Sequence, residues 1–444
     1  RHPVSRLTPK LARRAEGVRQ RQGESERMGN FLGKEPRPPM VLVPPIFDFP
    51  PLVVRTRMLV PAYELLFGKL AMQCLFEDYF EEARNFSTRI MLKPIEDPHV
   101  DLVATVNGHR DGGKEGNAVF RWQRDLDDPN TFMEAFVSTF DPSLQLRSCV
   151  YYPKFGLGIF GILPLMIQSR ICSENNGFFG LRYGSENLSL GTTFAPFPLP
   201  GEFPKSAWLV GRKGRLCIGV QYKPPCGNKD NDFKELKNWS WAIGYGVGSG
   251  SPLKPSFNFG LELAKSSELI ASFYQHIVVQ RRVNNPFEAD QIVGITNYID
   301  FGFELKTRIN EDKSDSVDKS SFQMAASWQA NKNILLKGKI GPSISSIALA
   351  FKSWWKPSFT YSITAVNDHK YGRTSFGVGL RIEDLREASY ERADPNYVML
   401  TPNKEHLAGA VLQKFGKQPM FQSKIDSGDF DTLPKELKPI GKII

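Results

Sequence analysis

The sequence predicts an all-β fold: a transmembrane β-barrel of roughly 16 to 19 strands, preceded by an amphipathic helix and followed by a flexible C-terminal tail. Period-two alternation of apolar and polar residues recurs between residues 86 and 383. The chain is rich in Gly (37), Phe (32) and Pro (32), which favours strands and turns. It has no run of about 18 or more apolar residues that could form a membrane helix. These three observations together predict the fold class.

The basic and Pro-rich composition of residues 1–60 predicts a disordered leader. Residues 1–27 are Arg-rich and have no apolar core of the kind found in a secretory signal. The first methionine is Met28. We expect translation to start there, with the earlier residues as untranslated read-through or a basic extension. The whole chain has 57 Lys and Arg residues against 47 Asp and Glu, a formal net charge of +10.

The spacing of apolar residues in 61–85 predicts an amphipathic helix. Apolar side chains such as Leu66, Leu70 and Leu75 recur every three or four positions, while Lys69 and Glu77 belong to the opposite face. A helix with one apolar face needs a surface to cover that face. We therefore expect this helix to pack on the body of the protein.

Residues 86–384 predict the strands of the barrel. In residues 358–365 and again in 375–382, large apolar residues alternate with Ser, Thr, Gly or Arg. The polar phase is small or charged, as in a wet lumen, and aromatic residues near strand ends predict an interfacial girdle. The predicted girdle residues are Trp122, Tyr151, Tyr222, Trp239, Trp354 and Trp355. The pattern favours a membrane barrel and leaves a soluble double sheet open. Residues 385–444 are charged and Pro-dotted, which is typical of a tail.

Two motifs carry a resemblance to a known family. Residues 68–79 read G-K-L-A-M-Q-C-L-F-E-D-Y, with Gly68, Lys69, Leu75, Asp78 and Tyr79 at the positions of the porin amino-terminal helix. In the last predicted strand, Ser375, Gly377, Leu380 and Ile382 fit the signal recognised by the sorting and assembly machinery of the outer membrane. The chain thus resembles the eukaryotic mitochondrial porins, the voltage-dependent anion channels (VDAC), and especially the longer VDAC-like outer-membrane proteins of plant mitochondria.

The resemblance covers about residues 61–384 and implies a barrel of 19 strands with the helix lodged in the pore. The leader and the tail have no counterpart in short porins. No G-L-K triplet of the kind linked to nucleotide contacts occurs in the sequence. Nucleotide handling and voltage gating therefore stay open.

The polar phase of the strands predicts a positively charged lumen. A ring of fixed positive charge favours passage of anions without a binding site. The predicted pore-lining cations are Arg89, Lys93, Arg121, Arg147, Arg182, Lys306, Arg308, Lys337, Lys339, Lys352 and Arg381. Glu134 shares the phase of Phe132 and Phe136, so it is predicted to face lipid, with a bulge that returns it to the lumen as the alternative.

Enzyme, metal and cofactor sites are not predicted. Residues 156–161 spell G-x-G-x-x-G, but Pro164 follows where a helix should begin. The six histidines and five cysteines show no metal-ligand spacing. The catalytic, metal and cofactor predictions are therefore all negative.

We expect a passive, weakly anion-selective pore for small metabolites and ions. The alternative is a non-conducting barrel or a soluble β protein that acts as a scaffold for protein or lipid. The expected location is the mitochondrial outer membrane, with the chloroplast outer envelope as the alternative. Expected partners are membrane lipids, the sorting and assembly machinery and small anionic metabolites, but not nucleic acid. Oligomer formation stays open.

Overall fold

The computed structural model describes residues 40–41, 56–80 and most of 85–384. The longer gaps in that last range fall at 110–113, 140–142, 168–176, 196–204, 225–234, 248–254, 285–290 and 310–319. The predicted tail, 385–444, and most of the leader lie outside the described residues.

Nineteen strands form the wall of a single closed β-barrel, which confirms the predicted fold class and strand number. The first ten are β1 (Asn85–Leu92), β2 (Val100–His109), β3 (Lys114–Gln123), β4 (Phe132–Ser138), β5 (Ser143–Tyr152), β6 (Leu157–Ile167), β7 (Phe178–Gly184), β8 (Leu188–Phe194), β9 (Ser206–Lys213) and β10 (Leu216–Tyr222). The others are β11 (Trp239–Val247), β12 (Ser256–Ala264), β13 (Glu268–Asn284), β14 (Gln291–Arg308), β15 (Ser320–Gln329), β16 (Ile334–Ile340), β17 (Ile344–Ser353), β18 (Ser358–Asp368) and β19 (Arg373–Asp384).

The barrel closes through one parallel pair. Each strand from β1 to β18 pairs antiparallel with its successor, and β1 also pairs parallel with β19, with Phe86 opposite Val378. An odd number of alternating strands places the first and last in the same direction, so the closing pair must be parallel. Closure removes the exposed edges that an open sheet would present.

The two faces of the wall have opposite chemistry. On β18, Tyr361 and Ile363 are exposed on the outside, while Ser362 and Thr364 are buried on the inside. On β19, Phe376 and Val378 are exposed in the same way. The alternation follows from the two-residue period of a strand. The barrel therefore has an apolar outer surface and a largely polar inner one.

The described α-helices lie inside the barrel. A 3-10 turn, Thr56–Leu59, leads into α1 (Ala62–Leu65) and α2 (Lys69–Glu77). The sequence predicts one helix over 61–85, whereas the structure divides it at Phe67 and Gly68, which both have positive φ (62° and 79°). Among the described residues, no helix is both long enough and apolar enough to cross a membrane.

The apolar core sits between these helices and the inner wall. Its largest cluster joins Met58, Tyr63 and Phe67 to wall residues that include Phe160 and Trp208. Two further clusters form where α2 and the residues after it meet the wall. A barrel of this kind has no separate core layer, so the inner helices are what its inward apolar side chains pack against.

The predicted aromatic girdle is only partly present. Trp122 and Trp355 are exposed, at 43% and 62%. Tyr151 lies on the inner face and is buried, and Trp354 is buried with its indole N–H donating to the Lys332 carbonyl oxygen. Tyr222 is also buried, beside the ring of Trp239. The prediction was wrong for Tyr151 and Trp354, because proximity to a strand end does not say which way a side chain points. It was also wrong for Tyr222, which shares the phase of the exposed Ile218 but is covered beside Trp239.

Candidate functional site

A continuous inner segment, residues 56–80, follows the inside of the barrel and is called the inner belt here. Its first residues contact β6 and β7, its middle contacts β9 to β15, and its end contacts β16 to β19. The barrel has two mouths: the upper mouth, where β1 ends at Leu92, and the lower mouth, where β1 begins at Asn85. Gly158 and Arg182 lie near the upper mouth, so the inner belt begins there.

Arg182 holds the start of the inner belt. Its guanidinium donates hydrogen bonds to the carbonyl oxygens of Met58 (2.8 Å) and Val60 (3.2 Å). The Arg182 side chain is almost fully buried, at 2% exposed. Donation to carbonyl oxygens from a buried cation is strong because the groups are shielded from water. This predicted pore-lining residue therefore anchors the belt to the wall.

A second polar contact joins α1 to strand β12. The Glu262 carboxylate accepts from the Tyr63 hydroxyl (3.0 Å) and from the Lys69 ammonium (2.8 Å), and Lys69 also lies 3.6 Å from Glu64. Burial first, and then the charge of Glu262, raise the pKa of Tyr63 above its ordinary value. The hydroxyl therefore stays protonated and remains a donor to Glu262.

Glycines on the inner face give the belt room to approach the wall. A Cβ added at Gly219 would come within 2.7 Å of the Phe67 ring, and one at Gly260 within 2.8 Å of the Phe67 carbonyl oxygen. A Cβ at Gly302 would come within 2.8 Å of the Met72 sulfur. Separations below 3 Å would force atoms to shift. The inner belt thus lies on a track of residues without side chains.

Two lysines of the barrel wall donate hydrogen bonds to carbonyl oxygens near the C-terminus of α2. The Lys337 ammonium donates to the Cys74 carbonyl oxygen (2.9 Å), and Lys339 donates to that of Phe76 (3.3 Å). The last turn of α2 has no basic residue of its own. Cations stabilise a helix C-terminus because its last carbonyl groups lack partners within the helix. Here the barrel supplies those cations.

Tyr79 ends the described belt against three strands. Its backbone is left-handed (φ 70°), and its carbonyl oxygen accepts a hydrogen bond from the Thr364 hydroxyl at 2.7 Å. The cations of Lys337 and Arg381 lie over its ring, 5.4 and 4.1 Å from the centroid. Cation–aromatic contacts of this kind stabilise the position of the ring. Tyr79 therefore fixes the end of the inner belt.

The structure places the predicted pore-helix residues on this belt. Gly68 precedes α2 with φ 79°, a conformation that favours glycine. Leu75 is buried against Gly302 and Ala325 on the wall. Asp78 directly follows α2. Gly68, Leu75, Lys69 and Tyr79 lie at contacts between the belt and the barrel.

At least five of the eleven predicted pore-lining cations have a carboxylate partner. The pairs are Lys93–Asp101 (3.9 Å), Arg121–Glu134 (3.0 Å), Lys306–Glu304 (2.9 Å), Arg308–Glu268 (3.4 Å) and Lys352–Glu383 (2.8 Å). Arg147 lies over the Phe136 ring, and Arg89 lies on β1 opposite Thr105. Pairing reduces the field that each cation adds to the lumen.

The predicted direction of Glu134 was wrong. Glu134 is 1% exposed, and its carboxylate accepts a hydrogen bond from Arg121, which is itself on the inner face. Met133 and Val137 of β4 are exposed on the outside instead. Both phases of β4 are apolar, so alternation alone did not identify the outer one. No bulge is needed to bring Glu134 inside, because β4 pairs with both neighbours without a register shift.

The residues of the predicted insertion signal lie on the closing strand, β19. Ser375 and Gly377 belong to the inner phase with Arg381, and Leu380 and Ile382 belong to the outer phase with Val378. Ser375 donates a hydrogen bond to the Val366 carbonyl oxygen at 3.4 Å. The signal thus coincides with the strand that completes the barrel.

Sequence reasoning missed the glycine track and did not predict which acid pairs with which cation. Gly219, Gly244 and Gly260 alternate with large apolar residues, so the small inner phase was visible, but what it accommodates was not. Glu268 and Glu383 end up beside cations that are distant in sequence or on a neighbouring strand. Only the strand register reveals these partners.

No protein-family model matches this chain, and no curated protein matches it.

Proposed function

We propose that the protein is a membrane pore, a β-barrel of the porin type that lets small solutes and ions diffuse passively with a weak preference for anions. The observation that carries this proposal is the closed barrel with an exposed apolar exterior and a polar, charged interior. Soluble proteins rarely expose large continuous apolar surfaces. A closed barrel in lipid satisfies every backbone group of its wall.

The size of the barrel supports a water-filled lumen. Nineteen strands spaced about 4.8 Å apart and tilted by about 40° enclose a backbone cylinder roughly 38 Å across. An α-helix with its side chains is about 10–12 Å wide. The two inner helices therefore cannot fill the lumen by themselves. The inner belt, which includes both helices, narrows the lumen along the sector from β6 to β19.

The charge of the inner wall supports a modest anion preference. Lys337, Lys339 and Arg381 lie together near the end of the inner belt, where the two lysines donate to carbonyl oxygens and Arg381 lies over the Tyr79 ring. Three cations close together on one part of the inner wall make the local potential more positive, which favours anions. We therefore infer that this sector of the lumen sets the preference for anions.

Single-channel recording in planar bilayers under a salt gradient tests the proposal. Purified full-length protein should give large, open currents with a reversal potential on the anion side. The triple variant Lys337→Glu, Lys339→Glu, Arg381→Glu should move that potential toward the cation side. The matched control reverses three exposed residues, Lys154→Glu and Lys370→Glu in turns and Lys213→Glu at the end of β9, and should shift it far less. An unchanged reversal potential in the lumen variant would contradict the anion preference.

The family and the location are proposals that rest on the sequence resemblance. We propose membership of the VDAC-type porins and residence in the mitochondrial outer membrane, or alternatively in the chloroplast outer envelope. Lipids, the sorting and assembly machinery and small anionic metabolites are the proposed partners. Imaging of a tagged full-length chain in plant cells would separate the two organelles.

A barrel that inserts into the membrane but carries no current would favour the alternative function, a scaffold that binds protein or lipid. Purified protein that inserts into vesicles, resists extraction by carbonate and yet carries no current would give this result. We propose no enzymatic activity, no metal and no cofactor for the chain.

A further inference from the structure

The two longest strands form a ribbon that rises beyond the rest of the wall. β13 and β14 pair continuously as far as Asn284 opposite Gln291. Among the described residues, β12 stops pairing at Ser256 opposite His276, and β15 stops at Gln329 opposite Tyr298. Residues 277–284 and 291–297 therefore continue past both neighbours. At about 3.3 Å per residue, this ribbon is roughly 25 Å long.

The ribbon stands at the upper mouth. β13 runs in the same direction as β1, because every intervening pair is antiparallel, so the β13–β14 connection lies at the mouth where β1 ends. A register shift between Val279 and Gln280 marks a bulge at its base. Thr296 and Tyr298 are buried there, at 7% and 1% exposed. The base of the ribbon is thus packed against the protein.

A two-residue segment of the leader adds to the edge of this ribbon. Met40 and Val41 pair in parallel with Val293 and Gly294 of β14. The surrounding sequence, residues 38–45, reads P-P-M-V-L-V-P-P. Prolines cannot donate to a strand ladder, and residues before a proline favour extended backbone. The segment is therefore suited to forming one short strand and no more.

We propose that this strand addition anchors the leader at the upper mouth, so that the inner belt, residues 56–80, is threaded through the lumen and held at both ends. The lower end is fixed because the inner belt ends at Phe80, and β1 begins at Asn85 at the lower mouth. The start of the belt, at Met58, lies near the upper mouth as this path requires. A helix tethered at one end only could leave the lumen, but a threaded one cannot.

The consequence, which rests on the proposed pore function, is a lumen that stays narrowed at all voltages. The fourteen residues between Val41 and Thr56 are long enough to cross the mouth but do not release the belt while the anchor holds. Expelling the inner belt requires the anchor to break and the leader to pass back through the barrel. We therefore expect one stable conductance level in the full-length protein.

Cross-linking tests the anchor without any need for conductance. Met40→Cys combined with Val293→Cys in the full-length chain should form a disulfide under mild oxidation, identified by peptide mass spectrometry. The control pair is Met40→Cys with Ile347→Cys, because Ile347 is exposed on the outer wall of β17. Equal yields from the two pairs would overturn the anchor.

A backbone variant tests the threading. Met40→Pro with Val41→Pro removes both backbone donors, whereas Met40→Thr with Val41→Thr keeps them. The proline variant should show a second, wider conductance level and at least tenfold faster amide exchange in residues 62–77, and the threonine variant should match the unmodified protein. Identical exchange in the proline variant would overturn the threading. If exchange and cross-linking behave as expected but no current flows, the pore function fails and the anchor stands.

Discussion

At the scale of single residues, the interior of the barrel depends on a buried ion pair. Arg121 is fully buried and Glu134 nearly so, with 3.0 Å between the guanidinium and the carboxylate. Removing one partner of such a pair leaves a buried charge without compensation, which costs about 3–5 kcal/mol. We expect Glu134→Gln to lower the free energy of unfolding by about that amount. Urea unfolding in lipid vesicles, followed by tryptophan fluorescence, measures it.

A matched pair at the surface provides the control. Glu268 lies 3.4 Å from Arg308, whose side chain is 75% exposed. Exposed pairs contribute only about 0–1 kcal/mol. Glu268→Gln should therefore change the unfolding free energy little. Equal losses in the two variants would show that burial of Glu134 does not set its cost.

At the scale of elements, the glycine track controls how the inner belt meets the wall. We expect Gly219→Leu to push Phe67 off β10, because even a Cβ there would come within 2.7 Å of its ring. Overpacking of this kind costs about 1–3 kcal/mol, or roughly fivefold to 150-fold in an opening equilibrium. Amide exchange over α1 and α2, measured by mass spectrometry, should accelerate by that factor.

The control for this element is Gly211 on β9, the strand next to β10. An added Cβ at Gly211 meets no atom within 4 Å. Gly211→Leu should leave exchange in the inner helices unchanged while adding the same side chain to the same sheet. Faster exchange in both variants would mean that the wall, and not the contact with Phe67, is responsible.

Elements also show how far the sequence could predict the molecule. Strands such as β18 and β19 were predictable because one phase is large and apolar and the other is small or polar. β4 was not, since Phe132 and Phe136 on its inner phase are as apolar as Met133 and Val137 on its outer phase. The break in the helix at Phe67 could not be predicted from the sequence either. Its left-handed backbone arises where the belt contacts Gly244 and Gly260, which are far away in sequence.

At the scale of the whole molecule, closure and charge act together. The parallel pair of β1 and β19 brings Arg89 of the first strand opposite Arg381 of the last. Two cations at the seam, with Lys337 and Lys339 close to the same end of the belt, concentrate positive charge in one sector. Acids pair with Lys93 and Arg121 elsewhere on the wall, and Glu383 pairs with Lys352 within this sector. The electric field of these cations is therefore confined to one sector of the lumen, and how far it extends depends on screening by salt.

This reach gives a prediction for the intact channel. The Debye length is about 10 Å at 0.1 M ionic strength and about 3 Å at 1 M. At 0.1 M the field of the charged sector extends well into a lumen roughly 38 Å across between backbones, but at 1 M it is confined to the side chains. Reversal potentials measured at the same salt ratio should therefore show an anion preference near 0.1 M that almost disappears near 1 M. A preference that persists at 1 M would instead indicate a narrow binding site, because ions that pass within about 3 Å of a charge remain unscreened.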